Sequence, residues 1–284
     1  FTDRLAAAGE GMRPEGLVHM ATDGEVYGHH EPFADMCLAY LFSSEGPRRG
    51  LRFVNYPEYL DLQPPEYEVV LNFTDTGEGT AWSCAHGVGR WSRDCGCYTG
   101  GQPDWNQRWR APLRRGLDAI REQIHGAYLT QAGRHFADAW AARDDYIEVL
   151  RAPDPAAREA FLQRHLRVPA GNEERRMLWA LLEATHQAML MYTSCAWFFS
   201  DISGLEVQQN LGYAARACEL AQPYVAEPLE PLLLMQLEHA KSNLPEWRDG
   251  SWVYRRLVRP RRIGPEYAGA QAALEAAVLD RSLD

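Results

Sequence analysis

From Trp105 onward the chain keeps apolar residues at helical spacing over most of its remaining length. No other feature constrains the fold as much. A stripe of apolar side chains recurring every 3.6 residues has to face a core, and successive stripes bury one another as packed helices. The periods predict helices from about Trp105 to His125, Leu129 to Leu150, Pro155 to His165, Glu173 to Phe199, Gly204 to Leu220 and Pro228 to Lys241. Asp104 suits the N-cap of the first, and Asn172 followed by Glu173 and Glu174 suits the electropositive start of the fourth. Ala152 to Ala156, with its two prolines, and Val168 to Gly171 read as connections. Arg255, Arg256, Arg259, Arg261 and Arg262 read as solvated surface.

At 284 residues one or two domains are expected, and the change of pattern places them at 1–104 and 105–284. A hydrophobic content of 46% gives enough apolar surface for a core, which excludes disorder as the main state. With 29 basic and 39 acidic residues the net charge is −10, the wrong sign for binding nucleic acid or an anionic membrane. No apolar run approaches the roughly 20 residues that span a bilayer. Six cysteines are too few for a disulfide scaffold, and a reducing, cytoplasmic setting is expected. The chain opens on Phe1 with no signal pattern, and a piece of a longer polypeptide is the expectation.

Before residue 105, turns and short apolar runs dominate. Gly16 to Glu25 reads as a short buried strand ending in an acidic turn. Phe33, Met36, Cys37, Tyr40 and Leu41 then recur at helical spacing between Pro32 and Phe42. Strand, polar loop and helix together make one β/α unit. Tyr67 to Phe73 reads as a second strand, followed by a loop rich in glycine and tryptophan. Asp23 would stand at a strand's carboxyl end, where α/β barrels assemble active sites, with Glu25, His29 and His30 close behind. Paired carboxylates break glycosidic bonds when one protonates the leaving oxygen and the other attacks or stabilises the sugar carbon. A plain Asp-Gly turn with Glu25 in water fits the same residues.

A second constellation is Cys84-x-His86 with Cys95-x-Cys97. In extended backbone, residues two apart share a face, so each pair can aim both side chains at one ion. A Cys₃His set suits tetrahedral zinc. Free thiols packed around a sugar-binding loop, or a Cys95–Cys97 redox pair, fit the spacing too. Cys195 is a candidate fifth participant, while Cys37 and Cys218 read as small core residues. Trp82, Trp91, Trp105 and Trp109 crowd the same stretch, and flat indoles among polar side chains pack well on sugar rings. Trp109, in phase with Leu113 and Leu117, reads as core instead. Trp197, Phe198 and Phe199 can equally be core, with Asp201 capping the next helix.

Val18-His19-Met20-Ala21-Thr22-Asp23-Gly24-Glu25-Val26-Tyr27-Gly28-His29-His30 resembles the acid/base motif of glycoside hydrolase family 57, which holds α-amylases, 4-α-glucanotransferases and branching-type enzymes. The remainder resembles the uncharacterised domain that follows the catalytic barrel in one branch of that family. That likeness is carried by Trp82 to Trp91, Asp94 to Cys97, Trp105 to Leu113, Ala141 to Tyr146 and Tyr192 to Phe199. The resemblance implies a mainly α chain, a C-terminal β/α fragment of a (β/α) barrel packed on a helical, bundle-like domain. It implies a retaining α-glucan hydrolase or transglycosidase with Asp23 as general acid/base, and Glu25, His29 and His30 shaping the sugar subsite. Trp197 and Asp201 would stand near the Trp and acidic residue that the helical region returns to the active-site mouth. The family's Glu nucleophile has no counterpart in the residues before Leu17, so it is expected outside this chain, in an upstream barrel of the same polypeptide. The implied partner is an α-glucan or oligosaccharide, with no cofactor required beyond a candidate structural zinc. The rival reading is a non-catalytic, zinc-stapled accessory module that binds glycan or supports the barrel.

Overall fold

The computed structural model describes residues 2–13, 16–73, 77–152 and 154–279, with 265 and 266 described by backbone alone. Helix makes up 60% of it, and the described residues contain no strand, so the chain is mainly α. It divides into two compact units, one ending at Leu71 and one beginning at Asn72.

The first unit holds α1 (Thr2–Gly9), α2 (Ala34–Tyr40) and α3 (Tyr56–Leu62). Asn55 starts α3 by accepting the Glu58 N–H at 2.9 Å, with Pro57 in the first turn. Leu41 and Gly46 are buried where wider turns continue α2, and the Phe53 ring lies where a Cβ on Gly46 would sit. The two expected strands, 16–25 and 67–73, form no ladder. Asp23 leads into a 3₁₀ turn (Gly24–Val26), and Val70 is 94% exposed. A strand holds its form by passing its backbone N–H and C=O groups to a neighbour, and among the described residues neither segment has a neighbouring strand. Cys37, expected in a core, is exposed because α2 buries nothing.

The second unit contains α4 (Arg110–Ala132), α5 (Ala139–Arg151), α6 (Pro155–His165), α7 (Asn172–Leu190), α8 (Leu205–Ala221), α9 (Leu229–Leu237), α10 (Gly250–Val253) and α11 (Pro265–Leu279). Trp109, Leu113, Leu117, Ile120 and Ile124 form one fully buried stripe along α4, which packs on α7 and α9 while α7 pairs with α8. A Cβ on Gly116 would lie 3.0 Å from Leu233, so the glycine permits α4 and α9 to approach closely. Further along, Tyr128, Phe136, Phe161, Leu178, Leu181 and Leu182 build a second cluster beneath α5 and α6. Asp138 and Asp154 cap α5 and α6 by accepting N–H groups of the first turn, and Glu174 in α7 accepts the Gly171 N–H.

Several boundaries depart from the periodic pattern: α4 runs through the expected start at Leu129 to Ala132, α5 opens only at Ala139 behind its Asp138 cap, and α9 ends at Leu237, short of Lys241. Hydrogen bonds explain two further departures. The first long helix begins at Arg110, not near Trp105, because side chains take the preceding backbone. The Asn106 N–H donates to Asn243 Oδ1, the Gln107 N–H to Asp94 Oδ2 and the Arg108 N–H to Asn106 Oδ1. Asp104 therefore sits in a turn and caps no helix. The fourth helix stops at Leu190, nine residues short, because buried Asn210 donates to the Thr193 carbonyl at 3.0 Å and accepts the Thr193 hydroxyl at 2.7 Å. The chain then turns into a short 3₁₀ segment (Ser194–Trp197).

Most of the basic stretch after α10 is paired. Arg255 faces Glu238 at 3.6 Å, Arg259 and Arg262 both face Glu230, and Arg261 donates to Gln208. Among the described residues no helix is long and apolar enough to cross a membrane.

Candidate metal centre

The loop from Ala81 to Gln107 belongs to the second unit, where it packs on the start of α4. It brings Cys84, His86, Cys95 and Cys97 together, with one donor atom of each within 4.8 Å of all the others. Cys84 Sγ lies 3.9 Å from Cys95 Sγ and 3.9 Å from Cys97 Sγ, and Cys97 Sγ lies 3.5 Å from His86 Nδ1. A regular tetrahedron with Zn–S near 2.3 Å and Zn–N near 2.0–2.1 Å has S···S edges of about 3.8 Å and S···N edges of about 3.6 Å. The three measured edges fit those values closely. Three thiols and one imidazole make a donor set that could hold a metal ion, and soft ligands of this kind suit zinc. An ion held there would act as a staple, joining the two arms of the loop.

The arms converge by turns and not by extended backbone. Gly96, between the two cysteines of the second arm, has φ +78°, and Gly87, just after His86, has φ +68°. Both conformations are left-handed and suit glycine, and they swing the flanking donors inward. The Asp94 carboxylate accepts the Gly96 N–H and the Gln107 N–H, which binds the second arm to the lead-in of α4. Gln107 adds a hydrogen bond to Thr99 at 2.7 Å.

The surroundings favour negative sulfur at one corner. Burial works against ionisation of Cys84. The backbone N–H groups of His86 and Arg90, with the neighbouring thiols, outweigh it and bring its pKa down to about 7. Burial pushes the Cys97 thiol up, and its two cysteine neighbours add to that. Two guanidinium groups lie beside the cluster. Arg110 is 0% exposed, with Nη1 3.8 Å from Cys95 Sγ and Nη2 donating to the Trp197 carbonyl at 2.5 Å. Arg90 is buried over the Phe198 ring and donates to the Ser83 carbonyl. Neither was singled out as a site residue from the sequence. Arg110 opens a helix at the same phase as the apolar Trp109 stripe, and that placement of a charge was the available signal.

Cys195 is exposed and stands outside the cluster, while Cys218 is buried in the core, its thiol pushed up to about 12 by desolvation. Of the expected sugar-contacting tryptophans, Trp82 is 92% exposed, two residues before Cys84. Trp91 is half-buried and set edge-on to Phe198. Trp197 is fully buried in the core against Trp109, and Asp201 is buried too, holding Ser203, Ser242 and Asn243 through both carboxylate oxygens. Trp197 has the core place that the sequence left open, whereas Asp201 does not cap the next helix, whose N-cap is Gly204, and instead ties its own loop to 242–243. In the first unit Asp23, Glu25, His29 and His30 are exposed on the turn that opens at Asp23, and the two histidine rings lie 4.8 Å apart.

Fold and loop together define a mainly helical domain with a Cys/His centre at the head of its central helix. Residues 105–282 match the model of a family described as a domain of unknown function, DUF3536, and the chain belongs to that family. No curated protein and no solved structure matches the chain.

Proposed function

We propose that the chain is the C-terminal portion of a retaining α-glucan-acting glycoside hydrolase or transglycosidase of the family 57 type. Asp23 is its general acid/base, and the Glu nucleophile comes from residues outside this chain. The observation that carries this reading is the state of Asp23 within its motif. Its carboxylate is exposed and makes no hydrogen bond or ion pair among the described residues, with Glu25, His29 and His30 exposed on the same turn. A structural Asp at such a turn would accept a backbone N–H, as Asn55 does at the head of α3. An uncommitted carboxylate is free to reach a glycosidic oxygen, and the environment that would keep its proton on would come from the upstream barrel. The helical unit is then the accessory part, positioned beside an upstream barrel, and the exposed Trp82 offers an indole face to a glucan chain.

A second reading, a zinc-stapled accessory module without catalytic residues of its own, is favoured by the convergence of the four Cys/His donors within 4.8 Å of one another. The intact enzyme separates the two. Asp23→Asn keeps the shape but cannot deliver a proton, so turnover on a glucan with a poor leaving group should fall by on the order of 10²–10⁴. A substrate with an activated leaving group should lose less in the first step, and azide should restore the second. An undiminished rate removes Asp23 from the chemistry and leaves the accessory reading.

A further inference from the structure

Arg110 is a buried cation without a buried anion. Its side chain is 0% exposed, its Nε has no hydrogen-bond acceptor, and among the described residues it makes no ion pair. Nη2 meets a neutral carbonyl, that of Trp197, and Nη1 meets the Cys95 sulfur at 3.8 Å. Arg90 repeats the pattern, with a buried Nε lacking an acceptor and a ring and a carbonyl as its other neighbours. The nearby Asp94 carboxylate holds the Gly96 and Gln107 N–H groups. Taking a guanidinium out of water costs several kcal/mol unless an opposite charge answers it. Asp94 attracts Arg110 only from beyond ion-pair distance, so among the described residues no carboxylate touches the guanidinium.

Loading the cluster changes that balance. Three thiolates and a neutral histidine around a divalent ion leave one net negative charge on the centre, centred on the sulfurs, one of which faces Arg110. We propose that Arg110 is the counter-ion of the metal centre, a positioning residue that couples occupancy of the loop to the helical core. The inference rests on the zinc-staple part of the reading above. Its location gives the coupling a route: Arg110 is the first residue of α4, and its other arm holds the carbonyl of Trp197, which stacks in the main core. Outer-shell partners of this kind orient the ligands and are commonly worth 10–100-fold in metal affinity.

The experiment measures zinc affinity by competition with a chromophoric chelator. It also records thermal melts with and without zinc, for the wild type, Arg110→Met, Arg110→Lys and Arg90→Met. Arg110→Met should bind zinc 10–100-fold more weakly, and the rise in Tm that zinc produces should shrink in proportion. Arg110→Lys, which keeps the charge but not the fork, should fall between, and Arg90→Met should shift in the same direction by less. If Arg110→Met does not fold, the Arg110→Lys and Arg90→Met affinities decide. Variants that bind zinc as the wild type does, with apo and loaded Tm lowered equally, would show a purely structural arginine and overturn the inference while leaving the staple intact. A wild type that takes up no zinc would overturn both.

Discussion

The indole of Trp197 lies parallel to that of Trp109, with ring centroids 6.3 Å apart and planes 14° apart. Both are fully buried, so the stack bonds the 3₁₀ segment after α7 to the residue that precedes α4. Trp197→Ala should cost about 3–5 kcal/mol in urea denaturation, and Trp197→Phe markedly less, because the alanine leaves a cavity that neighbouring helices cannot close. A loss below 1 kcal/mol would mean that the indole is not part of the core.

Asp201 ties two segments together, its own loop and residues 242–243. Its oxygens accept from the Ser203 backbone and hydroxyl, the Ser242 hydroxyl and the Asn243 N–H, at distances from 2.6 to 3.0 Å. Asp201→Ala should destabilise the helical unit by about 2–4 kcal/mol, since buried donors would lose a charged acceptor together. Were Asp201 a ligand-contacting residue instead, the variant would melt like the wild type.

The Cys/His cluster makes a compositional prediction. Purified protein should carry about one equivalent of zinc by elemental analysis, and a strong chelator should lower the Tm. At zinc 1,000-fold above its Kd the gain is about 4 kcal/mol. Cys84→Ser or Cys97→Ser should abolish that gain, whereas Cys195→Ser, outside the cluster, should leave it unchanged. Melts indifferent to chelator would reduce the four residues to ordinary thiols and a histidine.

Asp249 should account for part of the acid sensitivity. Burial raises its pKa, but Lys241 at 3.0 Å, the Ser251 hydroxyl and the Trp252 N–H together hold it below the usual carboxylate range. A folded pKa below the unfolded one adds stability that is complete above the unfolded value and disappears as pH falls through the folded one. Asp249→Asn should therefore lower stability at neutral pH and flatten the loss below about pH 4. Parallel wild-type and variant curves down to low pH would remove Asp249 from the acid limb.

Several features of the molecule were legible in the residues alone. The stripe Trp109, Leu113, Leu117, Ile120 and Ile124 announces a helix with one buried face, because side chains three and four positions apart stack on one side whatever surrounds them. The donor chemistry of Cys84, His86, Cys95 and Cys97 is local too, but the spacing fits a soft metal, free thiols or a redox pair alike, and only the fold draws the four donors within 4.8 Å of one another. The ends of the helices were not legible, because distant partners set them. Asn243 and Asp94 take the backbone that would have started α4 at Trp105, and Asn210 takes the carbonyl that would have carried α7 past Thr193. The two strands expected at 16–25 and 67–73 have suitable residues, but a strand also requires a neighbour, and among the described residues neither segment has a paired strand. Tertiary structure alone decided that Arg110 would be buried against Cys95 and that Trp197 and Asp201 would turn inward. Burial depends on what lies opposite a side chain in space, while a sequence pattern reports only its neighbours along the chain.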